Sequence, residues 1–425
     1  MGRLLSKFFL VILLSCVLYF KGVAQQDSIS ITFQQAERIL LQKNLQLLAQ
    51  QYNVDINKAL VQQNKYLDNP VLNTDQNIYD GKFFRHNNDY GQVFVQIQQL
   101  IKTAGKRNKL IKLSQDAVLS SEQQLYDLMR NLRFVLHNDF SNIYQLLQVY
   151  KIYSSELISL QDLARGMDAQ LQAGNISQKE NLRIKSLLYA LQTDQADLQI
   201  QITEAEKDVH TLLHIGNDTL IVPVMNTVGN LSSPVQSLTL TRLIDSSLVN
   251  RPDLQLAKTN LLSQQHNLNY QKALAVPDLT AGLEFDQHSS YAPNYYGLAL
   301  SIPIPVLNKN KGNIRAAQVS IGLAQNGIQQ VREQVSAEVS AAWQKLQISV
   351  SLQKIITQDF ADKYEELFQN ITKSFKLRQV SLIEFIDFFD SYKDARTKQL
   401  EQQAHLRDAI AEVNFTTGSN IISNP

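Results

Sequence analysis

The chain is written twice. Asn44-Leu45-Gln46-Leu47 returns as Asp253-Leu254-Gln255-Leu256, 209 residues later. Asn69-Pro70 returns as Val276-Pro277 and Leu100…Gly105 as Leu307…Gly312, both at an offset of 207. Ile176-Ser177-x-x-Glu180 returns as Val380-Ser381-x-x-Glu384, at 204. Each match is short, but four in one order at nearly one offset mark a tandem duplication. A period of this length is not that of a solenoid, whose repeats run about 20–50 residues. The fold is therefore two copies of one large unit.

Each unit reads as helix, strand, strand, very long helix, tight turn, helix. In the first, 31–66 is helical, with Thr32 as N-cap before Phe33. Residues 70–80 and 90–101 are strand-like, and 107–173 is helical without interruption. Its apolar stripe runs Leu110, Leu113, Ala117, Leu125, Leu128, Leu132, Val135, Ile143, Leu146, Tyr150, Tyr153, Leu157, Leu160, Ala164, Met167 and Leu171. From Ile143 to Leu171 the steps average a 3.5-residue period, that of a coiled coil. The second unit places strands at 277–306 and a long helix at 313–377, with a stripe from Ile314 through Ala324, Val335 and Val339 to Leu346. Neither long helix holds a proline. At 1.5 Å per residue each rod would be roughly 100 Å long, more than a compact domain needs. The expected boundaries are 25–215 for the first unit, 216–240 for a connecting segment, 241–418 for the second unit and 419–425 for a tail.

The strands alternate. In the fourth, Tyr296, Leu298, Leu300, Ile302, Ile304 and Val306 share one face. In the third, Leu279, Ala281, Leu283 and Phe285 oppose Asp278, Thr280, Gly282, Glu284 and Asp286. The second sets Val93, Val95 and Ile97 against Gln92, Gln96 and Gln98, and the first sets Leu72 and Ile78 against Asn73, Asp75 and Asn77. Ribbons of about ten residues, apolar on one side and polar on the other, fit a membrane barrel with a wet lumen. Tyr79, Tyr90, Tyr291, Tyr295 and Tyr296 cluster at strand ends. A half-buried soluble sheet gives the same alternation. Asp75, Asp278, Glu284 and Asp286 are the candidate lumen carboxylates. Four strands cannot close a barrel, since the smallest bacterial ones use eight, so several copies must contribute. Loops 81–89 and 287–294 would be the outer turns.

The N-terminus supports export. Arg3 and Lys7 precede an apolar run from Phe8 to Phe20, followed by Gly22-Val23-Ala24. The run is too short for a spanning helix of about 20 residues and reads as a signal peptide, residues 1–24. A retained anchor and a lipidated Cys16 in Leu13-Leu14-Ser15-Cys16 are the alternatives. Cleavage removes three of the 40 Lys and Arg and none of the 39 Asp and Glu, leaving a net charge of −2. No basic field argues for nucleic acid. One Cys excludes an intrachain disulfide framework.

This architecture resembles the TolC-type outer-membrane efflux proteins. Leu300-Ser-Ile-Pro-Ile-Pro-Val-Leu-Asn-Lys-Asn-Lys-Gly-Asn-Ile-Arg315, Ala275-Val-Pro-Asp-Leu-Thr-Ala-Gly282 and Gly105-Lys106-Arg107 look like its cation and heavy-metal (CzcC/CusC-type) subgroup. The resemblance covers about 31–418. It implies a mainly helical homotrimer with a 12-stranded transmembrane β-barrel in the outer membrane, embedded in lipid, on a long α-helical barrel in the periplasm. It implies as partners a periplasmic adaptor and an inner-membrane pump of the RND type.

The helix–turn–helix tips would meet the adaptor: Gly174, Asn175 and Ile176 in one unit, Arg378, Gln379 and Val380 in the other. Ser177 with Glu180 and Ser381 with Glu384 are S-x-x-E capping boxes. Arg378 stands where the family often has Gly. Asp387 and Asp390 follow the second tip at i+3 and i+6 from Glu384 and are candidate gate carboxylates; acids early in a helix also simply favour its dipole. A type I secretion duct and a periplasmic coiled-coil scaffold are the alternative functions.

No catalytic motif is present: no G-x-S-x-G, no phosphate-cradling glycine loop, no H-E-x-x-H. The chain is expected to be no enzyme and to use no cofactor. His210 and His214, at i and i+4, suit a metal or a structural role, and the structural one is favoured.

Overall fold

A computed structural model describes residues 27–79, 81–85, 91–216, 219–225, 238–355 and 358–422. The expected leader with Cys16, Tyr90, the end of loop 81–89 and residues 226–237 of the connecting segment lie outside these. The first unit runs β1 (Asp27–Thr32), α1 (Phe33–Lys43), α2 (Leu45–Lys65), β2 (Val71–Gln76), β3 (Val93–Ile101), α3 (Lys106–Gln172), α4 (Gln178–Leu213) and β4 (Thr219–Val224). The second runs α5 (Leu240–Asn250), α6 (Pro252–Leu274), β5 (Leu279–His288), β6 (Pro293–Ser301), α7 (Lys311–Gln353), α8 (Gln358–Lys376) and α9 (Leu382–Thr417). β1 and β4 form a parallel pair, two strands that the expected helix–strand–strand–helix–helix order does not contain.

Thr32 caps α1 as expected, its hydroxyl accepting from the Gln35 amide at 3.3 Å while Gln35 Oε1 accepts from the Thr32 amide at 2.9 Å. The single helix expected over 31–66 is broken. Asn44 leaves the helical region, with φ −65° and ψ 122°. Its Oδ1 accepts from the amides of Gln46 and Leu47 at 3.0 and 3.1 Å, starting α2. The second unit breaks at the matching place by other chemistry. Pro252 opens α6 at a position where its missing N–H costs nothing, and it pushes Arg251 into the extended region.

α3 is an unbroken rod of 67 residues, roughly 100 Å long. Its seam buries Leu132, Leu136, Phe140, Ile143, Leu146, Leu157, Leu160 and Ala164. Val135, expected in the stripe, faces outward, and Leu136 and Phe140 take the inward positions. The second rod is not continuous over 313–377. α7 ends at Gln353 and Lys354–Ile355 form a turn. The last buried residue of α7 is Leu346, so its final turns bury no side chain that would hold them. The fourth strand stops at Ser301, short of the expected 306, because Pro303 and Pro305 have no amide for the ladder.

β2, β3, β5 and β6 form one antiparallel sheet in that order, with β2 and β6 as its edges. The helices carry three cores. One joins α1, α3 and α4 to β1 and β4 around Leu40, Phe140 and Val209. Its repeat joins α5, α7 and α9 around Leu243, Val339 and Ile410. The third joins α3, α4, α8 and α9 at the far end, around Leu160, Ile184, Phe385 and Phe389.

Candidate functional site

The two tips are one structure made twice. At the end of α3 the Asn175 amide donates to Gln170 O and the Gly174 amide to Leu171 O, each at 2.9 Å. At the end of α8 the Gln379 amide donates to Ser374 O and the Arg378 amide to Phe375 O, also each at 2.9 Å. This is the Schellman closure, and it needs a left-handed residue after the cap. Gly174 supplies it at φ 73° and Arg378 at φ 60°. Arginine therefore takes the glycine conformation, and its guanidinium donates to Gln170 Oε1 at 2.9 Å, tying the second tip to the first.

Both capping boxes form. The Ser177 and Ser381 amides donate to Glu180 and Glu384 at 2.8 and 2.9 Å. Those backbone bonds, with the serine hydroxyls, hold both carboxyls below the usual glutamate range. A groove of about 510 Å³ lies between the tips, lined by apolar side chains such as Leu163, Met167 and Leu382 and by polar ones such as Gln170, Glu180 and Arg378.

Asp387 and Asp390 are exposed on α9. They share a stripe with Ile383 and Asp394, opposite the buried Phe385, Phe389 and Tyr392. Asp394 extends the acidic stripe, and spacing of three and four from Asp387 was the available signal. Burial pushes the Asp390 carboxyl up and neighbouring Asp394 and Asp387 add to it, against the pull of Lys393. Lys393 itself reaches Asp194 of α4 at 2.9 Å. At the repeat offset of 204, Arg183 and Ser186 stand where the second hairpin has Asp387 and Asp390. The two hairpins share their turns and differ in charge.

The sheet sorts its faces cleanly. Leu72, Ile97, Leu283 and Leu298 pair across all four strands. This row faces solvent, at 64%, 49%, 64% and 67% exposure. On the opposite face Asn73, Gln96, Glu284 and Gly297 form the matching row. Asn73 Nδ2 donates to Gln96 Oε1 at 3.2 Å, and Gln96 Nε2 to Glu284 Oε2 at 2.9 Å. Gly297 leaves room here: a Cβ there would lie 2.9 Å from Glu284 Oε1 and 2.5 Å from the Tyr295 ring. Asp75 and Asp286 pair with Phe94 on this polar face.

Asp278 does not join Asp75, Glu284 and Asp286. It sits before β5 and is engaged in a clasp: it accepts from Lys106 Nζ at 2.7 Å and from the Thr103 amide at 2.8 Å. Lys106 also donates to Val276 O at 2.6 Å. The clasp joins the strand-to-helix turn of one unit to the helix-to-strand turn of the other.

Of the histidine pair, His210 makes a structural contact. His210 Nε2 lies 2.7 Å from Thr219 O, linking α4 to β4. His214 caps α4 in the left-handed region at φ 50°. Among the described residues no three His, Cys, Asp or Glu converge as a metal site, and no helix is long and apolar enough to cross a membrane.

Residues 243–418 match the family described as outer membrane efflux protein. The cobalt-zinc-cadmium resistance protein CzcC of Cupriavidus metallidurans is 20% identical over 308 residues, 71% of each chain. The fold is that of solved outer-membrane channels. CusC superposes with a TM-score of 0.73 at 15% identity, over 94% of this chain and 95% of CusC. CmeC of Campylobacter jejuni does so at 0.72 and 12% identity, over 91% and 86%.

Proposed function

We propose, on the premise that this chain is an outer membrane efflux protein of the TolC type, that three copies form the exit duct of a tripartite efflux system. The observation that carries the reading is the sheet. Its apolar row is exposed across four strands, its polar row is linked by side-chain hydrogen bonds, and both edges, β2 and β6, are unpaired among the described residues. Exposed strand edges join other strands unless covered. In lipid a sheet must close completely, because unpaired amides there cost several kcal/mol each. Three copies supply twelve strands, with β6 of one against β2 of the next. The apolar row then faces lipid, and Glu284 with Asp75 and Asp286 faces the lumen.

The helices form the periplasmic tube. The tip groove, lined by apolar and polar side chains alike, suits an amphipathic α-helical hairpin of a periplasmic adaptor, which links the duct to an inner-membrane pump. Passage is passive, and no step needs a catalytic group. The kinship with CzcC supports divalent metal cations as cargo. Three copies of Asp387 and Asp390 at the tube's end would concentrate cations there.

Native mass spectrometry of the detergent-extracted protein, with planar-bilayer recording, tests the reading. A three-chain mass and discrete conductance steps are expected. A water-soluble monomer that forms no channel overturns it.

A further inference from the structure

The chain is nearly neutral, at +1, yet its charges are not evenly spread. Residues 90–115 and 287–332 hold nine Lys and Arg and no Asp or Glu. These are the two strand-to-helix junctions with the strands before them and the helix turns after them. Lys102 and Lys106 are committed to Asp68 and Asp278. Arg107, Lys112, Lys309, Lys311 and Arg315 pair with no carboxylate among the described residues. Lys112, Lys309, Lys311 and Arg315 are exposed. The first turns of helices favour acids and disfavour cations, so the protomer holds these charges against its own helix dipoles. Something outside it compensates them.

The same level of the molecule is apolar as well. Between β6 and α7 the linker exposes Ile304 at 81% and Leu307 at 99%. Tyr66 and Leu67, at the neighbouring helix-to-strand turn, are each 71% exposed. In sequence Ile302, Ile304 and Val306 continue the alternation of Leu298 and Leu300, and all are exposed, so exposed apolar side chains carry on from the sheet face into the linker. Cations beside an exposed apolar band are the pattern of a surface that rests at a membrane interface, with side chains in the acyl boundary and charges at the headgroups.

We infer that the two strand-to-helix junctions form a cationic, apolar collar that binds the anionic phospholipid headgroups of the membrane leaflet nearest the helices. This rests on the barrel reading above. It adds that the collar recruits phosphatidylglycerol-type lipid in preference to zwitterionic lipid. Charge complementarity and continuity with the apolar sheet face select that occupant.

The test uses the full-length channel in vesicles of phosphatidylethanolamine alone or with a quarter of phosphatidylglycerol. Spin-labelled phosphatidylglycerol and phosphatidylcholine report the relative association of each lipid with the protein. Each cation at a headgroup surface is worth roughly fivefold in association. The wild type should therefore favour phosphatidylglycerol about fivefold or more, and the triple variant Lys309→Gln, Lys311→Gln, Arg315→Gln should lose most of that preference. Raising salt should weaken the wild-type preference through screening.

Equal lipid selectivity in wild type and variant overturns the inference. So does displacement of the spin-labelled lipid by millimolar inorganic phosphate, which would mark a free-anion site. A variant with altered permeability for small ions and unchanged lipid selectivity also overturns it, by placing the cations in the lumen. If neither protein inserts as β-structure into phosphatidylethanolamine alone, the barrel reading itself fails, and that outcome is distinct from the others.

Discussion

Glu156 should make the far end of the helical bundle sensitive to alkali. It lies on α3 within the core shared by α3, α4, α8 and α9, is 1% exposed, and neither carboxyl oxygen has a hydrogen-bond partner among the described residues. Lys393 and Arg396 of α9 and Glu365 of α8 face it, and Tyr392 donates its hydroxyl to Glu365. Burial, outweighing Lys393 and joined by Glu365, raises the Glu156 carboxyl to about 8. The folded state therefore keeps a proton that the unfolded chain releases above its ordinary value of 4.5. Stability from this group is complete below that value, falls as pH rises toward about 8, and is level above it.

The full shift corresponds to on the order of 5 kcal/mol, an upper figure because water entry would relax it. With an unfolding entropy near 2.1 cal/mol/K per residue, this is roughly 5 °C in Tm. Circular dichroism at 222 nm should show the wild-type Tm falling between pH 4.5 and 8, with about 2 °C of that fall above pH 6.5. Glu156→Gln, which keeps the shape and removes the titration, should flatten that fall. An identical slope in the variant would refute the reasoning.

Other groups give separate tests. His137 is 2% exposed and lowered to about 4 by burial, with Arg407 adding to it. It should destabilise the fold as pH falls from 6.5 toward 4, and His137→Phe, beside Phe33, should remove that acid sensitivity in the same melts. Gly174→Ala should cost about 1 kcal/mol by backbone strain alone, because its Cβ would meet nothing within 4 Å. Arg378→Gly should change stability by less than about 1 kcal/mol, since relief of the left-handed φ offsets the lost bond to Gln170. Lys106→Met strips the buried partner from Asp278 and should cost about 3 kcal/mol, read as a lower denaturation midpoint. Asp387→Asn with Asp390→Asn should reduce cation preference in single-channel recordings, and unchanged currents would remove the gate.

What could be read before the structure is what repeats. The duplication, the first long rod, the strand alternation and both capping boxes are signals carried by several residues at fixed spacing. What escaped depends on partners distant in the chain. Asp278 falls on the polar register of its strand, yet Lys106, 172 residues away, takes it. β1 finds β4 across almost the whole first unit. The break at Asn44 is local, but its Nδ2 donates to Leu212 O at 2.9 Å, a contact made only once α4 has folded back.

Arg378 shows the limit from the other side. Residue preference argues against a left-handed arginine, but the repeat places it where Gly174 closes the first tip. The Schellman bonds on both sides of it are the same length as those of its twin. The closure at this position thus outweighs the roughly 1 kcal/mol that a left-handed side chain costs. The same argument separates shape from charge. The caps fix where each hairpin turns, and they place no constraint on the exposed stripe beyond. Arg183 and Asp387 can therefore diverge at equivalent positions, so that one hairpin presents a cation where the other presents an acid.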